Sequence, residues 1–140
     1  MGRKIRRIRY TIDPKGIRSL PQQEIKAILR GADDLIMRGG RTLLAKILHG
    51  LKEKKVVALD LHTSPVYGYY SQLSMDEVLA RIDWVIMNGY LRIEYDYRLP
   101  LLVYTGKGWE IEKDIFSDEL LQGFDRLIFN FDLKIIWHTV

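Results

Sequence analysis

Cysteine is absent from the 140 residues, which rules out disulfides and thiolate zinc sites. The three histidines, His49, His62 and His138, stand apart, without the spacing that metal ligands require. Nowhere do about 20 apolar residues run together, so no membrane span or membrane partner is expected. The basic start of the chain has no apolar stretch behind it, as a secretory signal would. Arg6 stands where an acylation motif after Met1-Gly2 needs Ser or Thr. The expected compartment is the cytoplasm, on the nucleoid if the source is bacterial. No nucleophile, base and orienting group stand together, so a nonenzymatic protein without cofactor, metal or catalytic residue is expected. Asp33-Asp34 and the carboxylates near the C-terminus read as a solvated face.

What is present is charge, unevenly placed. The chain is 47% hydrophobic and 29% charged, enough for one core with decorated ends. Residues 1–30 hold nine basic and two acidic side chains, so the other 110 residues carry −3 within a total of +4. Residues 38–55 form a second basic block, with Arg38, Arg41, Lys46, Lys52, Lys54 and Lys55 against Glu53. Residues 110–137 reverse the sign, with seven acids and three bases. A polyanion-binding face opposed to a solvated acidic face needs this kind of asymmetry.

Periodicity places the elements. The basic stretch 2–12 reads as a strand or a flexible arm. Pro21 opens a helical pattern through Ile25, Ile28, Leu29, Leu35 and Ile36, with Gly31 expected to break or bend it. After Gly39-Gly40 a second helix puts Leu43, Leu44, Ile47 and Leu48 on one face and Thr42, Lys46 and His49 on another, closed by Gly50. Residues 55–59 read as a small strand or an extended lead. Residues 66–73 read as one or two helical turns capped by Ser64. Ser74 and Glu77 form a Ser-x-x-Glu box before an apolar stripe of Val78, Leu79, Ile82, Val85 and Ile86, ended by Gly89. Residues 91–95 then alternate with period two, and residues 101–104 return across a tip at 96–100. Ser117 is expected to cap a last helix carrying Leu120, Leu121, Phe124, Leu127, Ile128 and Phe131, with apolar residues to spare for packing or for a subunit contact.

Helix, helix and hairpin in this order predict an α+β winged helix with extra N- and C-terminal helices. The stretch Gly39-Gly40-Arg41-Thr42-Leu43-Leu44-Ala45-Lys46-Ile47-Leu48-His49-Gly50, the turn Ser64-Pro65-Val66-Tyr67-Gly68, Gly89-Tyr90-Leu91 and the close Leu102-Val103-Tyr104-Thr105-Gly106-Lys107-Gly108 resemble the RQC domain, the winged helix that follows the motor of RecQ-family DNA helicases. The resemblance divides the chain into a basic arm with the start of a helix (1–30), an RQC-like domain (31–112) and a helical extension packed on it (113–140). Residues 1–140 contain neither the motor's phosphate-binding loop nor its cysteine zinc module, so the resemblance implies a free-standing relative without the motor.

In the family, the end of the second helix and the following loop clamp the DNA backbone. The matching positions are His49, Gly50, Leu51, Lys52, Lys54 and Lys55, with Leu51 in place of a small polar residue, which removes one hydrogen bond to phosphate. Arg41, Thr42 and Lys46 on the same helix extend the basic surface, and Ser64 and Tyr67 come from the turn beside it. Tyr95, Tyr97 and Arg98 sit at the wing, where the rings either stack on an exposed base pair or pack across the hairpin. The helix after Ser74 shows Asp76, Glu77 and Asp83 outward with Arg81 as its one base, so insertion into the major groove is not expected. Trp84 is expected to pack in the core or against a partner. The resulting expectation is duplex or branched DNA held by its backbone, structure-selectively or nonspecifically, in replication or repair. The alternatives are a homodimeric transcriptional regulator joined through the C-terminal helix, and an adaptor that docks on a helicase or nuclease.

Overall fold

The computed structural model describes residues 6–139, with side chains through Gln122. Its elements run α1 (Gln22–Asp33), α2 (Arg41–His49), α3 (Lys54–Ala58), a 3-10 turn (Leu61–Thr63), α4 (Met75–Met87), β1 (Leu91–Asp96), β2 (Leu99–Tyr104) and α5 (Gly106–Thr139).

Helices α1, α2 and α4 close on one core, because each carries its aliphatic residues on one face. Leu44, Ile47 and Leu48 of α2 are wholly buried, each contributing roughly 1.5–3 kcal/mol relative to exposure. Gly31 does not break α1, which runs through it. A Cβ there would lie 3.0 Å from Leu44 Cδ1 and 3.1 Å from Val66 Cγ2, so the missing side chain is what lets α2 approach.

The end of α2 shows what the Ser-Pro-Val-Tyr-Gly turn does. A helix leaves its last carbonyls unpaired; here Gly68 N–H donates to Ile47 O at 2.9 Å and Tyr70 N–H to Leu48 O at 2.7 Å. Gly50 closes the helix at φ +85°, with Gly68 so near that a Cβ would sit 3.0 Å from its Cα. Tyr67 Oη donates to Gly50 O at 2.9 Å. Residues 66–73 form successive turns rather than a helix, and residues 54–58 are helical where a strand or extended lead was expected. The β-branched Val56-Val57 pair does not decide that segment, because burial of Val56 in the core outweighs its local preference.

Ser74 Oγ accepts from Glu77 N–H at 3.2 Å, one half of the expected capping box, and starts α4. Trp84 packs inside, its ring stacked 6.2 Å from that of Tyr90. The wing pairs Leu91 with Tyr104 through Asp96 with Leu99, so both strands run further than the alternation indicated and the turn shrinks to Tyr97-Arg98. Tyr97 has φ +58°, a positive value that favours glycine and that tight two-residue hairpin turns demand. The other edge of β2 is tied to the core: Met37 N–H donates to Leu102 O, and Leu102 N–H to Gly39 O.

Helix α5 starts at Gly106, eleven positions before Ser117, because Thr105 Oγ1 accepts from Gly108 N–H at 3.0 Å and caps it. Ser117 lies within the helix and donates to Lys113 O. A Cβ on Gly108 would overlap Tyr90 O, so this glycine sets the angle at which α5 leaves the wing. The helix passes without interruption through the expected boundary at 112/113. The side chains of Phe124, Leu127, Ile128 and Phe131 lie outside the described residues.

Helix α5 packs on α1 around a group of carboxylates. Glu112 is 2% exposed and near Arg30, Asp33, Asp34 and Glu119. The Glu112 carboxyl is pushed up to about 8, chiefly by burial and next by the charge of Asp33, with Arg30 opposing. Arg30 Nε donates to Glu119 Oε1 at 2.7 Å, the link that seats α5.

Candidate nucleic-acid interface

The arm at the start of the chain is placed by main-chain bonds, not by its charges. Ile8 N–H donates to Arg98 O at 2.9 Å, Tyr95 Oη donates to Ile8 O at 2.8 Å, and Arg98 Nε donates to Arg6 O at 2.9 Å. The side chains of Arg6, Arg7 and Arg9 are thereby held in solvent along the wing, with Arg7 4.7 Å over the Tyr95 ring. Arg3 and Lys4 lie outside the described residues.

Past the wing, the arm is latched by Asp83. This carboxylate is 2% exposed, and it accepts from Arg41 Nε at 2.8 Å, from Arg41 Nη2 at 3.1 Å and from Asp13 N–H at 3.0 Å. Arg41 Nη2 also donates to Thr11 O at 2.8 Å. One sequence expectation changes here. Asp83 faces inward rather than out, and the Arg41 guanidinium is paired with it. A buried carboxylate needs a fixed cation, and α2 supplies it where the two helices cross.

Between the arm, the start of α2, α3 and the wing lies a groove of 610 Å³. Arg9, Arg41, Lys46 and Lys55 line it with Tyr10, Thr11, Thr42, Leu43, Ile93 and Pro100, and no carboxylate is among the lining side chains. Gly40 opens α2 without a side-chain cap, so the first N–H groups of that helix, at one edge of the groove, have no partner among the described residues.

Beside the groove stand the lysines of the second basic block. Lys52, Lys54 and Lys55 are exposed and form no ion pair among the described residues. Lys46 is half-buried and held by Glu53 at 2.8 Å. His49 is half-buried, with Nδ1 sealed from solvent and without a partner among the described residues.

Other expected contacts separate. Ser64 is buried, its Oγ accepting from Val66 N–H at 3.4 Å, so its work is the local turn. Tyr67 spends its hydroxyl on Gly50, and Tyr95 spends its own on the arm. Tyr97, 77% exposed, and the guanidinium of Arg98 stand at the wing tip, apart from the lysines. The contributions of Arg9 and Tyr10 were not visible from charge alone; an aromatic set within a run of arginines was the signal for them.

Three helices with α4 in the recognition position and a hairpin tied to the core by its second strand make a winged helix. The RQC domain model matches residues 21–118, and the chain belongs to that family of DNA-binding winged helices. The ATP-dependent DNA helicase RecQ of Bacillus subtilis (strain 168) is 30% identical to the chain over 80 residues, 57% of the chain and 13% of the helicase, so the chain spans a small part of that relative's length. No solved structure matches the chain. Among the described residues, no helix is long and apolar enough to cross a membrane, and no group of His, Cys, Asp and Glu could hold a metal ion.

Proposed function

We propose that this domain is a nonenzymatic DNA-binding module that grips the phosphate backbone at the corner between α2 and α3. The observation that carries the reading is the set Lys52, Lys54 and Lys55, exposed and unpaired among the described residues, with Lys55 lining a groove that no acid lines. Unpaired surface lysines are poor stabilisers of a fold but effective at displacing the counterions condensed on a polyanion.

The grip is structure-selective or nonspecific. Helix α4 shows Asp76 and Glu77 in its exposed first turn, and its Arg81 is turned toward Glu24 at 3.8 Å, so this helix offers repulsion where base readout needs donors. A role in replication or repair, beside a helicase or nuclease, accords with the RecQ likeness.

The test is binding to blunt, forked and four-way DNA across a salt series. The triple variant Lys52→Glu, Lys54→Glu, Lys55→Glu is expected to lower the slope of log affinity against log salt by about 3, at near 0.9 per lost phosphate contact. Unchanged binding would show that this corner is not the interface. A second reading, a docking surface for a second copy or another protein, draws on Trp109, Phe116, Leu120 and Leu121 exposed along α5. Sedimentation at micromolar concentration separates the two: a monomer that binds DNA supports the first.

A further inference from the structure

The groove beside the lysines is lined on a different plan from a plain phosphate rail, and we infer that it holds an unpaired nucleic-acid strand. This rests on the nucleic-acid reading above and assigns the groove a ligand of its own.

A duplex hides its bases and presents phosphates, so an apolar lining gains nothing from it. Here Tyr10, Leu43, Ile93 and Pro100 line the same cleft as Arg9 and Lys55. Unpaired nucleotides offer both surfaces at once, a π-face for the ring and a phosphate for the cations. A volume of 610 Å³ falls in the range of pockets that enclose drug-sized molecules, room for about one or two nucleotides.

The arm makes the cleft ready before any ligand arrives. Its main chain is fixed by the Ile8–Arg98 and Tyr95–Ile8 hydrogen bonds on one side and by the Asp83 latch on the other. Tyr10 lies between these anchors with its ring centroid 6.0 Å from that of Tyr95, already oriented, so little side-chain entropy is lost when a base stacks on it. Arg9, beside it, has no ion pair among the described residues and remains available to a phosphate.

Fluorescence anisotropy with a labelled oligothymidine of about ten nucleotides and a blunt duplex of equal length tests the assignment. Base–aromatic stacking of about 1–3 kcal/mol means at least fivefold per base. The variant Tyr10→Ala is expected to weaken oligothymidine binding about five- to tenfold and to leave duplex binding within twofold, and Arg9→Ala/Tyr10→Ala should weaken it further. Tyr10→Phe keeps the ring and should bind like the parent. Thermal melting of each variant checks that the fold persists, and both side chains are exposed enough to expect so. If oligothymidine does not bind the parent protein, or if Tyr10→Ala leaves its binding unchanged or weakens both DNAs equally, the assignment is overturned while duplex binding by the lysine corner stands. Loss of binding to both DNAs only in the lysine triple variant would support the corner alone.

Discussion

Replacing Asp83 by Asn tests the contact on which the arm and the groove both depend. The substitution preserves shape but removes the charge that faces the Arg41 guanidinium at 2.8 Å and 3.1 Å and the Asp13 N–H at 3.0 Å. Removing one member of a buried ion pair costs about 3–5 kcal/mol, because the survivor is left desolvated. Arg41 retains 19% exposure of its side chain and recovers part of its hydration, which brings the expectation to about 2–3 kcal/mol. An unfolding entropy near 2.1 cal/mol/K per residue converts this into a fall of about 7–10 °C in Tm. The second readout is local. With its acceptor weakened, the arm should open more often, and trypsin should cut after Arg9 several times faster under native conditions. Circular dichroism melting and timed proteolysis measure the two effects. A Tm within 2 °C of the parent together with an unchanged cleavage rate would refute the latch.

Two further perturbations follow from single contacts. Glu53→Gln removes the carboxylate that holds Lys46 at 2.8 Å, so duplex affinity in anisotropy should rise about two- to fivefold at low salt with a steeper salt slope; weaker or unchanged binding would exclude Lys46 from the interface. Glu112 titrates near 8 in the folded protein, above its ordinary carboxylate range, chiefly through burial. The unfolded chain therefore releases this proton first as pH rises, and its stabilising contribution is complete below the unfolded value and is lost progressively up to about 8. Glu112→Gln should flatten that part of the stability curve and raise stability at pH 8 by on the order of 2 kcal/mol, read by urea unfolding at pH 5 and pH 8. A curve parallel to the parent's would show that another group is responsible.

Much of the winged helix was readable along the chain because its elements are specified locally. The aliphatic spacing of α2, the Ser74 cap and the period-two run after Gly89 each act within a few residues, and each element formed where they indicated. Local signals misled where distant partners decided. Ser117 resembles a helix cap, yet Thr105 captures Gly108 N–H first and α5 runs through it. Gly31 resembles a break, yet it is the contact surface that Leu44 and Val66 require.

The proposed interface divides in the same way. The exposure of the lysines at 52, 54 and 55 was legible because an exposed charge needs no partner to be positioned, and the sequence alone shows how many bases crowd into that block. Whether a given cation is free is a property of the fold: Arg41 is withdrawn by Asp83, 42 positions later, and Lys46 by Glu53. The arm read equally well as strand or loose tail, since its own residues set no structure; the wing, α2 and α4 supply the acceptors and donors that lay it down. Sequence thus determined the helices, the hairpin and the store of positive charge, through interactions over a few residues. Tertiary structure decided which charges remain available and built the groove, because those depend on pairings that close only when the chain has folded.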